Sequence, residues 1–142
     1  MSTNENLLQI IIVTWNNSGS IQKCLQSIKE SEPEYLPFVL LIDNHSTDGS
    51  IRDVQISFPE IIIIENPDNF GFAKAVNQGL KRCKSKYCLL LNPDTKVNQD
   101  TFKGLIHFME SNPEVGLAGP QVISPDNIPE LSFGHYPHVW SE

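Results

Sequence analysis

At 142 residues the chain suits one domain with a sizeable core, and its 39% hydrophobic and 19% charged content is ordinary for a soluble globular protein. A net charge of −7 argues against broad nucleic-acid binding, which needs a basic face, though a local nest of N–H groups or a bound cation can still hold an anionic small ligand. No apolar run approaches the ~20 residues of a membrane span.

Met1 to Asn6 is polar and lacks the basic and apolar regions of a signal peptide. Cys24, Cys83 and Cys88 are odd in number and show no CxxC spacing, so they read as free thiols in a reducing, cytoplasmic setting.

Leu7 to Val13 is a nearly unbroken apolar run rich in isoleucine, the pattern of a strand covered on both faces. Thr14-Trp15-Asn16-Asn17-Ser18-Gly19 ends it. Ser18 is the expected N-cap of a helix carrying Ile21, Leu25 and Ile28, which Pro33 and Pro37 close. Glu30 to Glu34 reads as a solvated helix end. Phe38 to Ile42 is a second strand, stopped by Asp43-Asn44-His45-Ser46. Thr47-Asp48-Gly49-Ser50 opens a short helix with Ile51, Val54 and Phe58. Ile61 to Ile64 is a third strand, ended by Glu65-Asn66-Pro67-Asp68-Asn69.

A helix starting near Gly71 presents Ala73, Val76 and Leu80 on one face. Tyr87 to Leu91 is a fourth strand, and Phe102, Leu105, Ile106 and Met109 mark a further helix ended by Asn112-Pro113. A fifth strand is expected within Val115 to Ile123, interrupted at Gly119-Pro120. From Ser124 the pattern fades into a loop-like tail. Strands alternating with helices imply an α/β fold, a mostly parallel sheet flanked by helices on both faces. Residues 7–123 form the core of a single nucleotide-binding-type domain, and 124–142 the tail.

In an open α/β sheet ligands bind beyond the carboxyl ends of the strands. Every polar cluster falls at such an end: Thr14-Trp15-Asn16, Asp43-Asn44, Asn66 to Asn69, and Asn92-Pro93-Asp94. They either converge on one cleft or simply supply the Asn, Asp, Gly and Pro that turns require. A dinucleotide site is disfavoured by the lack of GxGxxG after the first strand, and a P-loop by the lack of GxxxxGK[ST]. Phosphates then need another partner. A magnesium or manganese ion on Asp94 is the economical one, since such ions take one or two carboxylates plus phosphates and waters.

Ile10 to Asn16, Leu41-Ile42-Asp43-Asn44-His45-Ser46-Thr47-Asp48-Gly49, Asn69 to Gly79, and Leu90-Leu91-Asn92-Pro93-Asp94-Thr95 together resemble family 2 glycosyltransferases of GT-A fold. The rhamnosyltransferase-like branch is the nearest, matched also by Gly116 to Pro120 and Ser124-Pro125-Asp126. The resemblance implies that Thr14, Trp15 and Asn16 hold base and ribose. It implies that Asp43, with Asn44 beside it, accepts a hydrogen bond from a pyrimidine ring N–H, which suits UDP- or dTDP-sugars. Phe70 and Gly71 open the helix near the diphosphate, with Lys74 as a cation and Asn77 alongside. Many members carry DxD where this chain has Asn92-Pro93-Asp94. One anionic ligand is therefore missing, and Asp94 aligns with the direct metal ligand.

Each residue also has a plainer role open to it. Asp43 can be a turn former with Ser46, and Asp48-Gly49 reads as helix-start and turn chemistry. Lys74 can be a solvated helix residue, and Trp15 partly core. His135-x-x-His138 resembles a metal pair by composition alone. The three cysteines read as buried small hydrophobes, with no His placed to activate a thiol.

The implied reaction is inverting transfer of a sugar from a nucleoside diphosphate to an acceptor hydroxyl, saccharide or lipid-linked, in surface polysaccharide synthesis. The general base lies in the family's second half, so no residue here is assigned as catalytic. The chain thus reads as a truncated donor-binding half, with an exposed apolar surface near its C-terminal segment. Association of chains into a homo-oligomer, and peripheral contact with the inner face of a membrane, are compatible with this. The alternative is a nucleotide-sugar-binding module without turnover.

Overall fold

A computed structural model describes residues 7–130 except 125 and 127. The polar N-terminus, the His135/His138 pair and the rest of the tail lie outside the described residues. Four parallel strands, β1 (Leu8–Thr14), β2 (Val39–Asp43), β3 (Ile62–Glu65) and β4 (Tyr87–Leu91), form one sheet in the order β3-β2-β1-β4. Four helices, α1 (Ser18–Ser31), α2 (Ser50–Ser57), α3 (Phe72–Arg82) and α4 (Thr101–Ser111), alternate with them.

β1 and β2 are central and their aliphatic side chains are buried on both faces. Alternate residues face opposite ways. Ile10, Ile12, Val39 and Leu41 pack with Ile21, Leu25 and Ile28 of α1, Ile51 and Val54 of α2, and Phe102 of α4. Ile11, Val13, Leu40 and Ile42 pack with Ala75 and Val76 of α3. Handedness explains the division. The chain steps β1 to β2 to β3 in one direction, then back past them to β4, and a right-handed crossover must put the returning helix on the other face. α3 lies very close to the sheet there: a Cβ on Gly79 would stand 2.6 Å from Ile11 Cγ2.

Four expectations need correction. No strand forms within Val115 to Ile123. Only an isolated antiparallel bridge between Ile123 and Pro129 is found there. Glycines and a proline that lacks an N–H weaken pairing in this stretch, and Leu117 stays 90% exposed.

Glu32 is fully buried, not solvated. Its carboxylate accepts the backbone N–H groups of Phe102 (2.7 Å) and Lys103 (3.2 Å), two of the otherwise unpaired donors of the first turn of α4. Asp100, the residue preceding that helix, makes no side-chain cap bond, so an acid 70 residues away supplies it.

Cys83 and Cys88 are joined by a disulfide and are not free thiols; only Cys24 is free. The tight turn from α3 into β4 brings their Cα atoms to 6.6 Å, within disulfide reach. Ser18 is not the N-cap of α1 but its first residue, and Asn17 before it makes no side-chain cap bond. The Ser18 N–H donates to the Asp48 carboxylate at 3.0 Å instead.

Candidate functional site

The strand order reverses between β1 and β4. Open α/β sheets bind ligands at such a reversal, beyond the carboxyl ends of the strands. Register places Thr14 opposite Asp43 and Asp43 opposite Glu65, while Leu91 sits level with Ile12. The tips of all four strands therefore share one edge. Backbone pairing runs one residue past the strands, with Asn44 N–H donating to Thr14 O and Asn66 N–H to Asp43 O, both at 2.9 Å.

The loops leaving β1 and β2 are clipped together. Asn16 N–H donates to Ser46 Oγ at 2.8 Å, and Thr47 N–H to Asn16 Oδ1 at 2.8 Å. Asp48 receives Ser18 N–H on one oxygen and Ser50 N–H on the other, so one carboxylate serves the starts of α1 and α2. Asn16 (φ 50°) and His45 (φ 71°) are held in the left-handed region. Such conformations cost free energy in non-glycine residues and persist where surrounding bonds enforce them.

Thr14 is buried and its Oγ1 has no hydrogen-bond partner among the described residues, whereas Trp15 is 55% exposed at the edge. Asp43 is buried, and its carboxylate accepts both the N–H and the hydroxyl of Ser46. The turn-forming role is thus realised. A carboxylate has about four lone-pair sites, so acceptor capacity remains. Asn44 is buried and turns its Oδ1 to Asn66.

α3 begins at the same edge on the opposite face. Gly71 (φ 78°) precedes it, and its N–H donates to Asn69 Oδ1 at 2.9 Å. Phe70 is half-buried. Lys74 lies on the exposed side of the first turn, with Nζ 3.7 Å from the centre of the Phe70 ring, a cation–π contact. Asn77 is exposed nearly one turn further from the edge.

Asn92 and Asp94 are exposed just past β4. Their loop is stapled to α1: Val97 N–H donates to Ser27 Oγ at 2.9 Å, and the Cys24 thiol approaches Asn92 O at 3.7 Å. Burial first, and the nearby Asp94 carboxylate second, push that thiol up to about 12. Asp94 makes no ion pair among the described residues, which offer no group of three or more His, Cys, Asp or Glu side chains placed to hold a metal. A single free carboxylate fits a cation that brings the rest of its oxygens as phosphate and water.

The structure thus gathers Thr14, Trp15, Asn16, Asp43 and Asn44 on one side of the edge, Asn92 and Asp94 past β4, and Phe70, Gly71 and Lys74 at the start of α3. Asn77 stands furthest out. Sequence reasoning missed Ser46 as the clip for the first loop and the pairing of the buried Asn66 with the half-buried Gln78. Ser46 was visible as a turn partner of Asp43. Asn66 was marked only as part of the polar tip of the third strand, and nothing local marks Gln78.

Residues 9–138 match the model of glycosyl transferase family 2. The amylovoran biosynthesis glycosyltransferase AmsE of Erwinia amylovora is 27% identical over 125 residues, covering 84% of this chain and 47% of that protein. The N-acetylglucosaminyl-diphospho-decaprenol L-rhamnosyltransferase of Mycobacterium tuberculosis is 23% identical over 132 residues, covering 85% and 43%. The chain therefore spans about half the length of these relatives. Among solved structures, S. aureus TarS 1-349 in complex with UDP-GlcNAc superposes with a TM-score of 0.66 at 23% identity, covering 75% of this chain and 32% of that one. A mannosyltransferase from Pyrobaculum calidifontis in complex with GDP-Man and Mn2+ superposes with a TM-score of 0.62 at 21% identity, covering 72% and 32%. Both likenesses establish the fold.

Proposed function

Because this chain belongs to glycosyl transferase family 2, we propose that it is the donor-binding half of an inverting glycosyltransferase, taking a UDP- or dTDP-sugar for polysaccharide synthesis. The observation that carries this is the exposed Asp94 just past β4, without an ion-pair partner among the described residues, at the point where the strand order reverses. Relatives named as an amylovoran biosynthesis glycosyltransferase and an N-acetylglucosaminyl-diphospho-decaprenol L-rhamnosyltransferase, and neighbours in complex with UDP-GlcNAc or with GDP-Man and Mn2+, support the same reading.

In this reading Trp15 and the clipped Asn16 loop cover the base and ribose, and Asp43 accepts the ring N–H of uracil or thymine. Lys74, at the open end of α3, offers its charge to the diphosphate. Asp94 would hold magnesium or manganese with Asn92 beside it. When bound, such an ion neutralises charge on the departing diphosphate. The reaction breaks the bond from the anomeric carbon to the diphosphate and forms one to the acceptor oxygen. The acceptor's proton goes to a general base, a role assigned to no residue here. The acceptor is a saccharide or lipid-linked hydroxyl.

Calorimetric titration with UDP, dTDP and GDP, with and without manganese, tests the proposal on wild type and Asp94→Ala. UDP or dTDP should bind, and the manganese-dependent part should vanish in the variant. Unchanged binding in Asp94→Ala would remove the metal role. Failure of every nucleotide to bind would remove the functional reading. Binding without release of UDP from any sugar donor would leave a binding module.

A further inference from the structure

We infer that Asn66 and Gln78 are positioning residues that set the spacing between the base side and the phosphate side of the nucleotide cleft. This rests on the nucleotide reading above. Asn66 follows β3 directly and is 5% exposed. Its Nδ2 donates to Asn44 Oδ1 and to Gln78 Oε1, both at 3.0 Å, and its Oδ1 accepts Gln78 Nε2 at 2.9 Å. Its backbone N–H donates to Asp43 O at 2.9 Å. One buried amide thus joins the tips of β2 and β3 to the middle of α3.

The rest of that interface is apolar: Ala75 and Val76 against Ile11, Val13, Leu40 and Ile42. Apolar burial holds a helix against a sheet but is non-directional. A reciprocal pair of amide hydrogen bonds is directional at both ends. It fixes the height and rotation of α3 relative to Asn44, the neighbour of Asp43. Buried amides add little net stability and cost much if left unpaired, so this pair contributes specificity of placement more than strength.

The consequence is selective. A nucleoside touches only the strand tips at Thr14 to Asn16 and Asp43. A nucleoside diphosphate must also reach Gly71, just before α3, and Lys74 in its first turn. Loosening the amide pair should therefore weaken diphosphate binding and spare the nucleoside.

The test is equilibrium titration of the full chain with uridine and with UDP in magnesium buffer, following Gln78→Met, with Asn66→Asp as a second variant of unchanged shape that loses the Nδ2 donor. Lys81→Met, exposed on the same helix, is the control. Folding is checked by circular dichroism. Both amide variants should lose about tenfold in UDP affinity with uridine affinity within about twofold, and the control should change neither. An equal loss for both ligands marks a purely structural role and overturns the inference, as does unchanged UDP binding. If wild type binds neither ligand, the nucleotide reading itself fails and this inference falls with it, an outcome distinct from the other two.

Discussion

Asp94 and Cys24 show how much a single residue's surroundings decide. Asp94 has no second acid beside it because Asn92 stands two positions earlier. Adding ligand charge tightens cation sites. Asn92→Asp should therefore strengthen manganese-dependent UDP binding by about tenfold, measured by titration across manganese concentrations; no gain would place the cation elsewhere. Cys24 lies beneath this corner with its thiol raised from 9.0 to about 12 by burial and, second, by Asp94. The folded state then keeps its proton where the unfolded chain loses it. The thiol's contribution to stability is complete below pH 9 and is lost as pH rises toward 12. Cys24 in the native chain should accordingly resist iodoacetamide at pH 8 and react after unfolding. Rapid native labelling, read by mass spectrometry, would contradict its burial. The sequence supported a buried small hydrophobe here, while the coupling to Asp94 needed the loop of residues 92–100 folded back on α1.

At the scale of elements, the close approach of α3 to the sheet is the governing feature. The Gly79→Ala methyl group would meet Ile11 Cγ2 at 2.6 Å and Ile42 Cδ1 at 3.1 Å. Ile11 is itself buried between strands and cannot swing aside. Overpacking of this kind costs about 1–3 kcal/mol, and alanine's better helix propensity returns up to about 1. A net loss of about 1–2 kcal/mol is expected in urea unfolding; a gain would show that α3 has slack. The helix itself was legible but its buried face was not: Ala75, Val76 and Gly79 meet the sheet, whereas Ala73 and Leu80, expected on that face with Val76, are exposed. Gly79's reason for being glycine depends on two strands 68 and 37 residues earlier. Glu32 shows the same limit. Its charge implied solvent, while its position at the end of α1 lets it cap α4 from below.

For the whole molecule, the Cys83–Cys88 bridge and the open side of β4 matter most. Intact protein unfolded without reductant should show one reactive thiol, and three after reduction, by colorimetric titration. Three before reduction would restore the free-thiol reading. A bridge closing so short a loop contributes about 2 kcal/mol by chain entropy. Beside it, β4 pairs only with β1 among the described residues, and Leu90 is 49% exposed. A groove of about 210 Å³ runs between β4, α4 and residues 116–118.

The sequence by itself determined four strands and four helices in alternation, the polar tips, and the family, because periodicity, turn chemistry and short motifs are local signals. Only the tertiary structure decided which tips are neighbours and where the order reverses. It alone showed that Ser46 and Asp48 clip two loops, that Glu32 is a buried cap, that Asn66 meets Gln78, that two cysteines pair, and that no strand forms within Val115 to Ile123. Most of these joins link residues on different elements. They follow from crossover handedness and close packing, which leave no period in the chain.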